Sequence, residues 1–99
     1  MNHRNKVMEA LSMNREIEFS YKGELFALVY HKEGWCLVNR KENLSKYYKT
    51  NRELINEIRI DGYSFEELLQ NENMRIEHIF YDYVRYSSIT QLIPSGNFQ

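Results

Sequence analysis

The stretch EIEFSYKGELFALVYHKEGWCLVN, residues 16–39, decides the fold. Ile17, Phe19 and Tyr21 alternate with Glu16, Glu18 and Ser20, the period of two expected of a half-buried strand. Lys22-Gly23 then turns the chain. ELFALVYH (24–31) is apolar at nearly every position, and WCLVN (35–39) follows across Glu33-Gly34. The stretch therefore reads as a three-stranded antiparallel meander whose central strand is buried on both faces. With two-residue loops at both turns, Phe19 faces Phe26, Ile17 faces Leu28 and Tyr30 faces Leu37. These side chains share one surface with Trp35, which is the predicted core. Leu25, Ala27, Val29 and Val38 point the other way. That face needs a cover too, and the N-terminal helix or the C-terminal segment is available for it.

Working outward, Val7, Met8, Ala10 and Leu11 have helical spacing and predict a short helix over Asn5 to Met13. On the other side, KENLSKYYKT (41–50) is a polar connection. Its Tyr47-Tyr48 pair either forms a short fourth strand or lies against the domain. Thr50-x-x-Glu53 and Ser64-x-x-Glu67 are capping boxes, in which a hydroxyl and a carboxylate satisfy free N–H groups at a helix start. Leu54, Ile55 and Ile58 stripe the first helix, Phe65, Leu68 and Leu69 the second, and Gly62 suits the left-handed position at the end of the first. Residues 74–93, MRIEHIFYDYVRYSSITQLI, fit a helix or a strand; their isoleucines and aromatics favour strand, at least for 74–81. Pro94-Ser95-Gly96 marks the end of ordered structure. The expected class is α+β: a short N-terminal helix, a three-stranded antiparallel meander, a helical pair and a C-terminal strand, in one domain over residues 1–99.

Length and composition agree with one small globular unit. The chain has 99 residues, 42% hydrophobic and 27% charged, enough for one modest core and too aromatic for a disordered chain. Its single cysteine, Cys36, excludes an internal disulfide, and no stretch has the apolar length of a secretory leader or a membrane span. The expected location is the cytoplasm of a bacterial host cell, without membrane contact. The net charge of −1 conceals a split. Residues 1–52 carry ten Lys/Arg against six Asp/Glu, whereas residues 53–83 carry eight acids against Arg59 and Arg75.

That split bears on chemistry. The helical pair has the outline of a helix-turn-helix, but its second helix offers Glu66, Glu67, Gln70 and Glu72 where a DNA reader needs cations for phosphates. It reads instead as a support for the sheet. An acidic surface of Glu66, Glu67, Glu72, Glu77 and Asp82 could dock on a basic partner surface or simply be solvated. Tyr81, Tyr83 and Arg85 share a face if the segment is extended, either as an interface or as a second wall of the core. A two-residue turn at Glu33-Gly34 would set His31 opposite Cys36, the minimum for thiolate chemistry, although no orienting acid or oxyanion loop accompanies the pair. The bland alternative is a cysteine packed as a small hydrophobe. His3, His31 and His78 are isolated, without metal-ligand spacing, and the four glycines stand singly as turn residues rather than in a phosphate loop. No cofactor or metal is expected, and no catalytic residue is assigned.

The order EIEFSYKGELFALVY, GWCLVN, TNRELINEIRIDGYSFEELL, within residues 16–70, resembles small, mostly uncharacterised proteins of Gram-positive bacterial phages and mobile elements. In them an F-x-Y-K-G hairpin precedes a helical pair containing I-D-G-x-S. Some proteins of that setting are anti-CRISPR or other anti-defence inhibitors, which bind a nuclease effector without doing chemistry themselves. The matching residues, Phe19, Tyr21, Lys22, Gly23, Ile60, Asp61, Gly62 and Ser64, are structural in kind, so the resemblance implies a setting rather than a site. Residues 71–99 depart from it. The resulting expectation is a non-enzymatic, protein-binding inhibitor of a CRISPR-type defence nuclease that occupies the enzyme's basic, nucleic-acid-handling surface. Glu66, Glu67, Glu72, Glu77, Tyr81, Asp82, Tyr83 and Arg85 would form its contact surface, and nucleic acid would be involved only indirectly. The alternative is a small nucleic-acid-binding accessory protein using the basic first half, with Arg40, Lys41, Lys46, Lys49 and Arg52 near the double tyrosine.

Overall fold

The computed structural model describes residues 3–40 and 42–80. Helix α1 (His3–Ser12) leads into strands β1 (Ile17–Tyr21), β2 (Glu24–His31) and β3 (Gly34–Asn39), then helices α2 (Asn51–Glu57) and α3 (Phe65–Leu68) and strand β4 (Met74–Ile79). The sheet is antiparallel throughout in the order β3-β2-β1-β4. This is the expected α+β architecture, with the C-terminal strand placed beside β1.

Local chemistry accounts for the element boundaries. Thr50 and Ser64 each accept a bond from the backbone N–H three residues on, and the Glu53 and Glu67 carboxylates accept one from the cap N–H, so both capping boxes are closed. Helix α1 ends in a Schellman arrangement: Arg15 N–H reaches the Ala10 carbonyl and Asn14 N–H the Leu11 carbonyl, with Asn14 at φ 60°. Asn14 takes the left-handed position because its short polar side chain tolerates it. Lys22-Gly23 forms the first hairpin turn, with both residues at positive φ as a type I′ turn requires. Asp61-Gly62 has the same geometry and joins Ile60 to Tyr63 in a miniature antiparallel bridge. Gly62 is therefore not the helix terminator expected of it; α2 ends earlier, at an extended Ile58.

One face of the sheet carries the main core. Ile17, Phe19, Tyr21, Phe26, Leu28, Trp35, Leu37 and Met74 are buried there with Val7, Ala10 and Leu11 of α1 and both helical stripes. Phe19 lies at its centre, stacked on Phe26 with ring centroids 5.5 Å apart and meeting Phe65 edge-on at 5.4 Å. Ala27, Val29, Cys36 and Val38 form a second buried cluster on the opposite face. Helix α1, considered as a cover for that second face, packs into the main core instead; the C-terminal segment beyond residue 80 lies outside the described residues. Two buried polar groups tie elements together. Asn51 donates to the Leu11 carbonyl at 2.7 Å, joining α2 to the end of α1. Glu16, read from the sequence as part of the polar alternation, is fully buried, and its carboxylate accepts the Tyr30 N–H at 2.8 Å.

The second hairpin departs from expectation. His31 pairs with Gly34, Tyr30 with Trp35 and Leu28 with Leu37, so the turn is Lys32-Glu33 and Tyr30 does not face Leu37. Gly34 is needed inside the strand, because a Cβ on it would sit 2.5 Å from the Tyr48 carbonyl oxygen, and its φ is 134°. Tyr48 passes so close because it exchanges two backbone hydrogen bonds with Trp35, at 2.7 and 2.8 Å. The Tyr47-Tyr48 segment thus makes an isolated bridge on the outer edge of β3. The register differs from the expected one by two residues, which leaves every side chain on its expected face. Tyr30, however, is 40% exposed at the strand end and does not belong to the core. Gly34→Ala should destabilise the fold by at least about 2 kcal/mol through strain and the Tyr48 clash, read as a lowered denaturant midpoint.

Candidate interaction surfaces

Among the described residues, Glu77 stands apart from the other acidic candidates. Glu66, Glu67 and Glu72 are exposed on and just after α3. Glu77 lies across the sheet: the β1–β4 register passes from Glu18–His78 to Phe19–Ile76 and skips it, and its carboxylate accepts from Ser20 Oγ at 2.7 Å. There it faces Glu18, whose carboxyl is pushed up chiefly by burial, with His78 opposing and Glu77 reinforcing the shift. Tyr81, Asp82, Tyr83 and Arg85 lie outside the described residues. Within the α3 group, Glu67 closes the capping box and Glu66 pairs with Arg4 of α1.

Along the sequence the acids around α3 fall in one segment. From Ile60 to Met74 the chain has Asp61, Glu66, Glu67 and Glu72, all exposed, and no lysine, arginine or histidine. Tyr63 is 40% exposed within it and meets Tyr21 edge-on. The segment is anchored at Asp61, whose Oδ2 accepts from Tyr21 Oη at 2.7 Å and from Lys22 Nζ at 3.2 Å. The two tight turns are clasped by this contact. The Tyr21 hydrogen bond, then Lys22, holds the Asp61 carboxyl below its ordinary range, while the bond to Asp61 raises both Tyr21 and Lys22.

A second surface gathers aromatic and basic groups where β3 meets the 46–50 segment. Tyr30 tilts against Trp35, with centroids 5.5 Å apart, and the two line a groove of about 420 Å³ with Asn14, Lys49 and Thr50. Beside it, Lys46 Nζ lies 5.4 Å from the centre of the Tyr48 ring. His31 and Tyr47 meet edge-on at 6.2 Å. Of the basic residues singled out in the first half, Lys46 and Lys49 thus join the aromatic rings. Arg52 lines a separate groove beside Met8, Leu11 and Ile55, Arg40 lies with Leu25 and Asn39, and Lys41 is outside the described residues. The contribution of Tyr30 and Trp35 escapes sequence inspection because it depends on the β2–β3 register and on Tyr48 crossing the sheet edge.

The Cys–His pair does not form. Cys36 lies opposite Val29, fully buried in the second apolar cluster, and its thiol is pushed up to about 12 by burial, then by Glu33 and Glu16. Among the described residues no group of three His, Cys, Asp or Glu side chains is placed to hold a metal ion, and no helix is long and apolar enough to cross a membrane. No family model matches the chain, and no curated protein or solved structure matches it.

Two outcomes follow from these environments. With a thiol pKa of about 12, Cys36 should react with a disulfide reagent at neutral pH roughly a thousandfold more slowly than a free thiol, and at the ordinary rate once denatured. The Asp61 clasp should contribute stability above the unfolded carboxyl pKa of about 3.9 and lose it as pH falls through the lower folded value. Denaturation midpoints of Asp61→Asn and the parent chain should accordingly converge as the pH falls below the ordinary carboxyl range.

Proposed function

We propose that the chain is a non-enzymatic, protein-binding inhibitor from a phage or mobile element, acting in the cytoplasm on a defence nuclease of the CRISPR type. The carrying observation is the segment from Ile60 to Met74, which carries four exposed carboxylates and the exposed Tyr63, two of the carboxylates, Asp61 and Glu66, being paired with Lys22 and Arg4. Such a surface complements the basic groove in which a nuclease holds nucleic acid: carboxylates meet lysines and arginines, and the tyrosine supplies contact area at little entropic cost. The sequence resemblance supports the same setting. Capping at Ser64 and Thr50, with Phe65 and Leu68 buried beneath, gives the segment a rigid seat.

The experiment is inhibition of DNA cleavage by purified, guide-loaded CRISPR effector nucleases. The chain should block one of them near equimolar amounts. Glu72→Lys should weaken inhibition by about fivefold or more, equivalent to about 1 kcal/mol, without changing the melting temperature. Glu72 is the informative position because Glu67 caps α3 and Glu66 pairs with Arg4. Failure to inhibit any effector, or full inhibition by both Glu72→Lys and Tyr63→Ala, would overturn the reading.

A further inference from the structure

We infer that the groove between α1 and α2 binds a small amphiphilic anion, with a phosphate or carboxylate head on Arg52 and Arg59 and an aliphatic body over Met8, Leu11 and Ile55. This site goes beyond nuclease inhibition and does not rest on it.

The two helices frame the opening. At one end Asn51 of α2 donates to the Leu11 carbonyl of α1 at 2.7 Å, and at the other Arg4 of α1 pairs with Glu66 of α3. Between these ties lies a groove of about 630 Å³, the size of a small-molecule site. Met8 and Leu11 line it from α1, Arg52 and Ile55 from α2, and Arg59 from just past the end of α2.

Charge and shape select the occupant. Arg59 Nη1 donates to the carbonyls of Asn56 at 3.0 Å and Ile58 at 2.7 Å, which fixes the guanidinium plane. Those bonds leave the Nε–Nη2 edge, whose parallel donors match the paired oxygens of a carboxylate or phosphate. Arg52 adds a second exposed cation to the same lining. Glu66 is the one carboxylate among the described lining residues, and Arg4 matches it, so the groove keeps a cationic excess. Its apolar floor is recessed: Leu11 and Ile55 are 2% and 7% exposed, and Met8 is half-buried. A narrow aliphatic chain reaches such a floor, whereas the broad face of a partner helix does not. An inorganic anion would leave Met8 uncovered, and a neutral chain would leave the guanidinium groups without a counterion.

Met8 reports on the groove. The test uses isotope-labelled methionine methyl groups in the full chain, assigns Met8 through Met8→Leu, and follows methyl resonances during titration with octyl phosphate or octanoate below the micellar concentration. A saturable shift of Met8 is expected with at least one of these probes, and the tighter of the two identifies the head group. Met74, outside the lining, should keep its position. Octanol and inorganic phosphate, each offering one half of the ligand, should bind at least about tenfold more weakly. Arg52→Gln and Arg59→Gln should each weaken the preferred probe by at least about fivefold, and Arg59→Lys, which keeps the charge without the paired donors, should recover only part of the loss. Both arginines are exposed, and unchanged melting temperatures check that the fold persists. Absence of a Met8 shift with both probes would overturn the inference. So would equal affinity for octanol, an equal shift of Met74, or unchanged affinity in both Arg52→Gln and Arg59→Gln. The readout is ligand binding, so failure of nuclease inhibition would leave this site assigned.

Discussion

The close approach of Tyr48 to Gly34 organises one edge of the molecule. Two backbone hydrogen bonds hold Tyr48 against Trp35, and only a residue without a Cβ can occupy the neighbouring strand position. That requirement draws Gly34 out of the turn and into β3, so Lys32-Glu33 reverses the chain. The resulting register carries Tyr30 to Trp35, separates His31 from Cys36 and sets Cys36 against Val29. An aromatic groove with Lys49 on its wall and a chemically quiet cysteine are both consequences of the same steric contact.

The rest of the fold is held by a different logic. Phe19, between Phe26 and Phe65, joins the sheet to α3, while Leu54, Ile55 and Ile58 bring α2 onto the same face. Burial of rings and aliphatic side chains supplies the non-directional attraction. Direction comes from a few polar contacts: the two capping boxes, the Asn51 bond to Leu11, the Glu16 bond to Tyr30 and the Asp61 clasp. A helical pair that looks like a DNA reader is thus fixed to a sheet, with its acidic side outward. Its second helix spans only four residues, a single turn.

The two surfaces draw on different parts of the charge split along the chain, acids in the 60–74 segment and lysines beside the β3 edge. The fold changes which charges count. Glu77 is removed from the Glu66–Glu72 group by lying across the sheet, and Glu66 is matched by Arg4. Lys46 and Lys49 gain weight because they stand beside aromatic rings, whereas Arg40 and Arg52 go to other parts of the surface. A charge run in sequence therefore specifies a tendency, and the sheet distributes it.

The sequence by itself determined the elements written in local chemistry: alternating strands, the Lys22-Gly23 turn, two capping boxes and the helical stripes. It also determined which face the residues of β1, β2 and β3 occupy, since a two-residue register shift preserves a period of two, whereas the skip at Glu77 breaks that period in β4. Tertiary structure decided what local patterns do not encode. Asn14 ends α1 and Gly62 serves a miniature hairpin because of the paths the chain takes on either side. Glu16 is buried because the end of the β1–β2 ladder leaves the Tyr30 N–H for its carboxylate. The partners of Tyr30, His31 and Cys36 depended on where Tyr48, 14 residues after Gly34, crosses the sheet edge. That crossing is a long-range steric condition, and only the folded chain satisfies it.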